Sequence, residues 1–170
     1  MFEGWDSFYL LIGGAAGAMI GLLFVVATLN SGQNATQVVR GASLYMTPTV
    51  FHFAMVLSVG AIAVAPGLRS SLAGLIILGC GLVGLVHMAT VCVRMRKPGA
   101  EAPPHWSDFW CYGAAPTFLY LALVVAALAV LEGWAAAPRG VAAVLLVLLL
   151  LSVRNAWDLV TWLAPRAAKD

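Results

Sequence analysis

LAGLIILGCGLVGLVHMATVCV, residues 72–93, runs 22 positions without an Asp, Glu, Lys or Arg. At 1.5 Å per residue, a helix of that length spans about 33 Å, the thickness of a bilayer's hydrocarbon core. A helix is the expected form, because lipid cannot satisfy free backbone N–H and C=O groups. Apolar runs of similar character lie on both sides, and we place five spans at about 8–29, 49–65, 72–93, 109–131 and 141–163. The whole chain, 1–170, then reads as a single integral membrane domain: an all-α, polytopic bundle of five transmembrane helices.

Composition agrees with this placement. Hydrophobic residues make up 62% of the chain and charged residues 9%, whereas a soluble domain has about half and about a quarter. A soluble fold could not cover that apolar surface. Between the spans, Thr47-Pro48 reads as an N-cap with proline in the first turn. Pro66-Gly67 reads as a tight turn and Ser70 or Ser71 as the next cap, and Pro138 likewise marks a short connection before the fifth span. Pro98, Gly99, Pro103 and Pro104 mark the one proline-rich connector.

Alternating spans put Arg40, Arg94, Arg96, Lys97, Arg166 and Lys169 on one side. Arg69 and Arg139 lie on the other, with Glu3 and Asp6. By the positive-inside bias the N-terminus is expected outside and the C-terminus in the cytoplasm. The net charge of +2 follows from this topology, so no nucleic-acid partner is expected. No basic residue precedes the first apolar run, which therefore reads as a retained span rather than a cleaved signal. Cys80, Cys92 and Cys111 form no Cys-x-x-Cys pair, and Asn34-Ala35-Thr36 is a formal glycosylation sequon on the expected inner side.

Gly13, Gly17 and Gly21, spaced by four, give span one a nearly bare face that lets a second helix approach closely. That face suits an oligomer interface or tight packing within one subunit. Gly74, Gly81 and Gly84 repeat the theme in span three, and Pro116 should bend span four and free a carbonyl. Trp5, Trp106, Trp110, Trp134, Trp157 and Trp162, with Tyr9, Tyr45 and Tyr112, fall near span ends, where such rings anchor at the headgroups.

The polar residues inside the spans carry the functional reading. His52 lies fourteen residues before Pro66 and His87 seventeen after Ser70, about 21 and 25 Å from the same outer turn. Arg154, Asn155 and Asp158 fall at a similar depth, about 22–28 Å from the outer end of span five, and Cys111 shares that level. Arg154 and Asp158, at i and i+4, can pair on one helix face. His87, Thr90 and Arg94 form a second stripe towards the cytoplasmic surface. Ionisable groups at such depth suit an ion or proton path, or a hydrogen-bonded clamp between helices.

At these residues, Thr47-Pro48-Thr49-Val50-Phe51-His52-Phe53, Asp108-Phe109-Trp110 and Asn155-Ala156-Trp157-Asp158 resemble an uncharacterised family of small bacterial multi-span inner-membrane proteins. The resemblance covers nearly the whole chain and includes the aromatic, glycine-rich and Gly-Leu-Leu-Phe-Val-Val pattern of span one. It implies a bacterial inner-membrane location and no particular activity. Histidine commonly stands in the family where this chain has Cys111 and Arg154, so a multi-histidine site would be depleted here.

The reading that follows is a small oligomeric channel or carrier subunit for a small ion or proton, with His52, His87, Arg154, Asn155 and Asp158 as the pore or polar layer. Gly13, Gly17 and Gly21 would form the interface of a homo-oligomer. No catalytic motif and no resident cofactor is expected. The alternatives are a membrane redox protein holding haem or a divalent metal through His52, His87 and Cys111, and a non-catalytic accessory subunit of another membrane protein.

Overall fold

A computed structural model describes residues 2–29, 46–95, 107 and 109–167, apart from the side chains at 29 and 162–167. Among these residues the chain is all-α. Helix α1 spans Asp6–Leu29, α2 Thr47–Ala63, α3 Ser70–Met95, α4 Ala115–Leu131 and α5 Ala137–Ala167. A wide π turn, Phe109–Ala114, leads into α4. Four of the helices, counting the π turn with α4, are long and apolar enough to cross a membrane; α2, with 17 residues, is shorter. At about 26 Å, α2 lies at the lower limit of what a bilayer core requires.

The expected spans thus lie within a few residues of observed helices, and α5 shows the largest shift, starting four positions early at Ala137. Pro138 explains it: a proline in the first turn has no N–H to leave unpaired and is already set for helical φ. Thr47 does not cap α2 but is its first residue, preceded by Met46 in helical conformation. Ser70 is likewise the first residue of α3. The Pro66-Gly67 turn forms as expected, with Gly67 at φ +71°, a conformation that costs glycine nothing and other residues much.

Successive helices run in alternate directions. The closest packing joins α3 to α4, across the long connector rather than across the short α2–α3 turn. Glycines cause this. A Cβ at Gly74 would stand 2.8 Å from Leu131, one at Gly81 2.8 Å from Val124, and one at Gly84 inside the ring of Tyr120. The three bare positions let the two backbones come close along their length. At the other side of the bundle, Gly60 of α2 lets α1 approach: a Cβ there would meet the Tyr9 carbonyl at 3.1 Å and Gly13 Cα at 3.6 Å. Helix α5 packs against α1, α2 and α4, and its buried residues Val141, Leu145, Leu148, Ser152 and Asn155 complete the core.

The glycine face of α1 is therefore divided. Gly13 is buried against Leu57 of the same chain, while Gly17 and Gly21 have nothing within 4 Å of where a side chain would begin. Around the bundle, large apolar side chains such as Leu11, Phe24, Val86 and Val125 point outwards. In water that surface would be untenable; in lipid it is the expected exterior.

Tyr9 and Tyr112 are not headgroup anchors. Both are buried, and Tyr9 donates a 2.7 Å hydrogen bond to the carbonyl of Pro138, tying the start of α1 to the start of α5. Its ring is packed by Phe2 and Phe8. Tyr9→Phe removes that buried hydrogen bond, at a cost of about 0.5–1.5 kcal/mol. Thermal unfolding in detergent should show a melting temperature lower by a few degrees, and no change would mean that the tie is idle. Trp110, Trp134 and Trp157 are exposed as anchors should be. Arg40, Arg96, Lys97, Lys169, the sequon, the proline-rich connector, Tyr45 and Trp106, and the side chains of Trp162 and Arg166, lie outside the described residues.

Candidate functional site

The polar residues expected to share one level form two clusters. The first surrounds Tyr120 and the second Tyr112, eight residues earlier on the same column of helix, about 10–12 Å away. Counting the histidines from the turn at 66–70 and the 154–158 residues from the start of span five merged them.

Pro116 organises the cluster nearer the α5 C-terminus. In a π turn the amide that would bond the Cys111 carbonyl lies five residues on, at position 116, where proline has no N–H. The freed carbonyl accepts a 3.0 Å hydrogen bond from Asn155 Nδ2. Asn155 Oδ1 accepts from Arg154 Nη1 at 3.1 Å. Its backbone carbonyl accepts from the Tyr112 hydroxyl at 3.0 Å, with Asp158 Oδ2 a longer second acceptor at 3.4 Å. Asn155 is fully buried. Its carboxamide therefore closes the gap that the proline opens.

Arg154 and Asp158 do not form the expected ion pair. Both are exposed, on the outer side of α5, and only Asn155 among these three turns into the bundle. Helical position decides this: Ser152, Asn155, Ala156 and Leu159 form the buried stripe, and 154 and 158 fall outside it. Ser152 and Thr161 turn their hydroxyls back onto their own helix, as such side chains do in apolar surroundings.

The cluster around Tyr120 holds the two histidines. His52 is fully buried on α2, and its Nδ1 lies 2.8 Å from the Tyr120 hydroxyl of α4. His87, on α3, stacks on Phe51 with ring centroids 4.1 Å apart. Phe51 also meets His52 at 6.1 Å and Tyr120 at 6.1 Å, so one phenyl ring touches all three. The expected agreement in depth between His52 and His87 is realised as this shared contact.

Tyr120 was not singled out by the sequence reading. The available signal was a tyrosine near mid-span, whose hydroxyl needs a polar partner when buried. The His87–Thr90–Arg94 stripe contributes less than expected, since Thr90 donates to the His87 carbonyl at 2.7 Å and both Thr90 and Arg94 are exposed.

One feature separates the two clusters. The carboxamide of Asn155 has partners at both ends, whereas Nε2 of His52 and Nε2 of His87 are both buried with no hydrogen-bond partner. No family model, curated protein or solved structure matches the chain. The site must accordingly be read from its chemistry.

Cys111 does not join the histidines: its carbonyl serves the Asn155 cluster. Among the described residues no three His, Cys, Asp or Glu side chains gather as metal ligands. The three-ligand set of His52, His87 and Cys111 is therefore not assembled. A buried polar atom without a partner costs about 1–3 kcal/mol. The two of them lie on helices that share the Phe51 ring.

Proposed function

We propose that the protein is a small channel or carrier subunit, in which His52 and His87 form the binding step on a path for a small ion or proton. The two unpartnered Nε2 atoms carry this reading. A neutral imidazole donates a proton from one ring nitrogen and offers a lone pair at the other, and it can take up a proton near neutral pH. An intramembrane group of this kind is expensive and is characteristically functional. Asn155, by contrast, acts as a clamp for the π turn, and Arg154 and Asp158 stay on the outer side of α5.

The subunit would sit in a bacterial inner membrane with all five helices spanning. The positive-inside bias would place the N-terminus outside and the C-terminus in the cytoplasm. The face of α1 that carries Gly17 and Gly21 would pack against a second copy in a homo-oligomer.

Reconstitution into liposomes containing a pH-sensitive dye tests the central step. His52→Phe and His87→Phe should each slow proton entry about tenfold or more, the loss expected when a barrier rises by about 1.4 kcal/mol or more. Flux equal to wild type in both variants would sink the reading.

A further inference from the structure

The same histidines allow the transported species to be narrowed, an inference that rests on the transport reading. A histidine that ligates a metal almost always has its other ring nitrogen held by a hydrogen-bond partner, which fixes the tautomer and aims the ring. His52 has this arrangement: Tyr120 holds Nδ1 at 2.8 Å, and Nε2 is buried and free. When Nδ1–H donates to the tyrosine oxygen, Nε2 presents a lone pair. His87 is held instead through its ring face, stacked on Phe51, with Nε2 again buried and free.

The surroundings limit which ion fits. No third His, Cys, Asp or Glu joins the pair among the described residues, so tetrahedral zinc has too few ligands. The nearest described carboxylate on α5, Asp158, belongs to the Tyr112 cluster. A divalent ion held by two neutral imidazoles would keep its whole charge inside an apolar bundle, where uncompensated charge is very costly. A monovalent d10 ion meets both limits. It carries half that charge, and two nitrogen donors complete its linear coordination. Sodium and potassium need several oxygen ligands, and the two imidazoles offer none.

We propose that Nε2 of His52 and Nε2 of His87 jointly ligate one soft monovalent cation of the copper(I) and silver(I) class, with Tyr120 as the positioning residue for His52. No electron transfer is involved, and silver nitrate serves as the redox-inert probe. The full-length protein in detergent, labelled with nitrogen-15 at histidine, is titrated with silver and followed by NMR.

Silver nuclei have spin one-half. A shared ion should split the Nε2 lines of both His52 and His87 and leave His105 unsplit. Silver content measured after desalting should fall by one equivalent per chain in His87→Phe and in His52→Phe, relative to the content bound by thiols and thioethers elsewhere. Tyr120→Phe keeps both ligands and should weaken binding with the stoichiometry intact, as loss of a second-layer partner does, by about 10- to 100-fold.

Absence of splitting at both histidines, or splitting at only one, overturns the proposal, as does a silver content unchanged in both phenylalanine variants. Proton flux that depends on the histidines, with no silver held between them, overturns this inference and leaves the transport reading standing. Silver held between them without any flux supports this inference and removes the transport reading.

Discussion

Gly84→Val should weaken the α3–α4 pair, while Gly79→Val, one turn and a fraction away, should be nearly silent. The first Cβ carbon would enter the ring of Tyr120; the second would have nothing within 4 Å. Tyr120 has little freedom to move aside, because its hydroxyl is bonded to His52 and its ring is in contact with Phe51. Overpacking of a filled core costs about 1–3 kcal/mol and occasionally more, and a lack of escape for the ring places Gly84→Val at the upper end. The melting temperature in detergent should fall by about 6–12 °C, at roughly 2–4 °C per kcal/mol for a chain of this size. Equal melting of the two variants would mean that the close approach of α3 and α4 is not what holds this part of the bundle.

Asn155→Ala should destabilise the protein by about 1–3 kcal/mol, because it removes the partner of a half-buried carbonyl as well as a hydrogen bond from Arg154. The mechanism makes a sharper claim than the magnitude. Pro116 creates the need that Asn155 meets, so Pro116→Ala, which restores an N–H at position 116, should relieve much of the damage. Melting temperatures of the two single variants and the double variant form a cycle, and the expected coupling is about 0.5–3 kcal/mol. Additive effects would show that the asparagine and the proline act separately, and that the account of the π turn is mistaken.

The residues that made the fold legible are those whose meaning does not depend on rotation about a helix axis. Run length places the five helices, and the prolines at 48, 66 and 138 mark turns or helix starts wherever the helix faces. Pro116 announced a freed carbonyl in the same way. Rotation is what the sequence left open. Arg154 and Asp158 looked like a deep pair, yet a helix whose buried stripe runs through Ser152 and Asn155 turns them outwards. Gly13, Gly17 and Gly21 looked like one face, but only Gly13 meets α2.

The tyrosines show the limit most clearly. Tyr9 and Tyr112 sit near helix ends, where amphipathic rings anchor to headgroups, but neighbouring helices supply carbonyls within reach of their hydroxyls. Nothing in the spacing of one chain segment reports a carbonyl 129 or 43 positions away. The histidines were legible in depth and not in direction; it is Phe51, which both touch, that brings the two rings into one cluster.

The most direct test of the division between a functional histidine pair and a structural Asn155 clamp compares flux with stability in the same vesicles. His87→Phe and Asn155→Ala are reconstituted side by side, with flux normalised to folded protein. The account predicts that His87→Phe keeps its melting temperature within about 2 °C and loses flux at least about tenfold, whereas Asn155→Ala melts earlier and conducts normally per folded molecule. Full flux through His87→Phe, or a folded Asn155→Ala as inactive as the histidine variant, would contradict it.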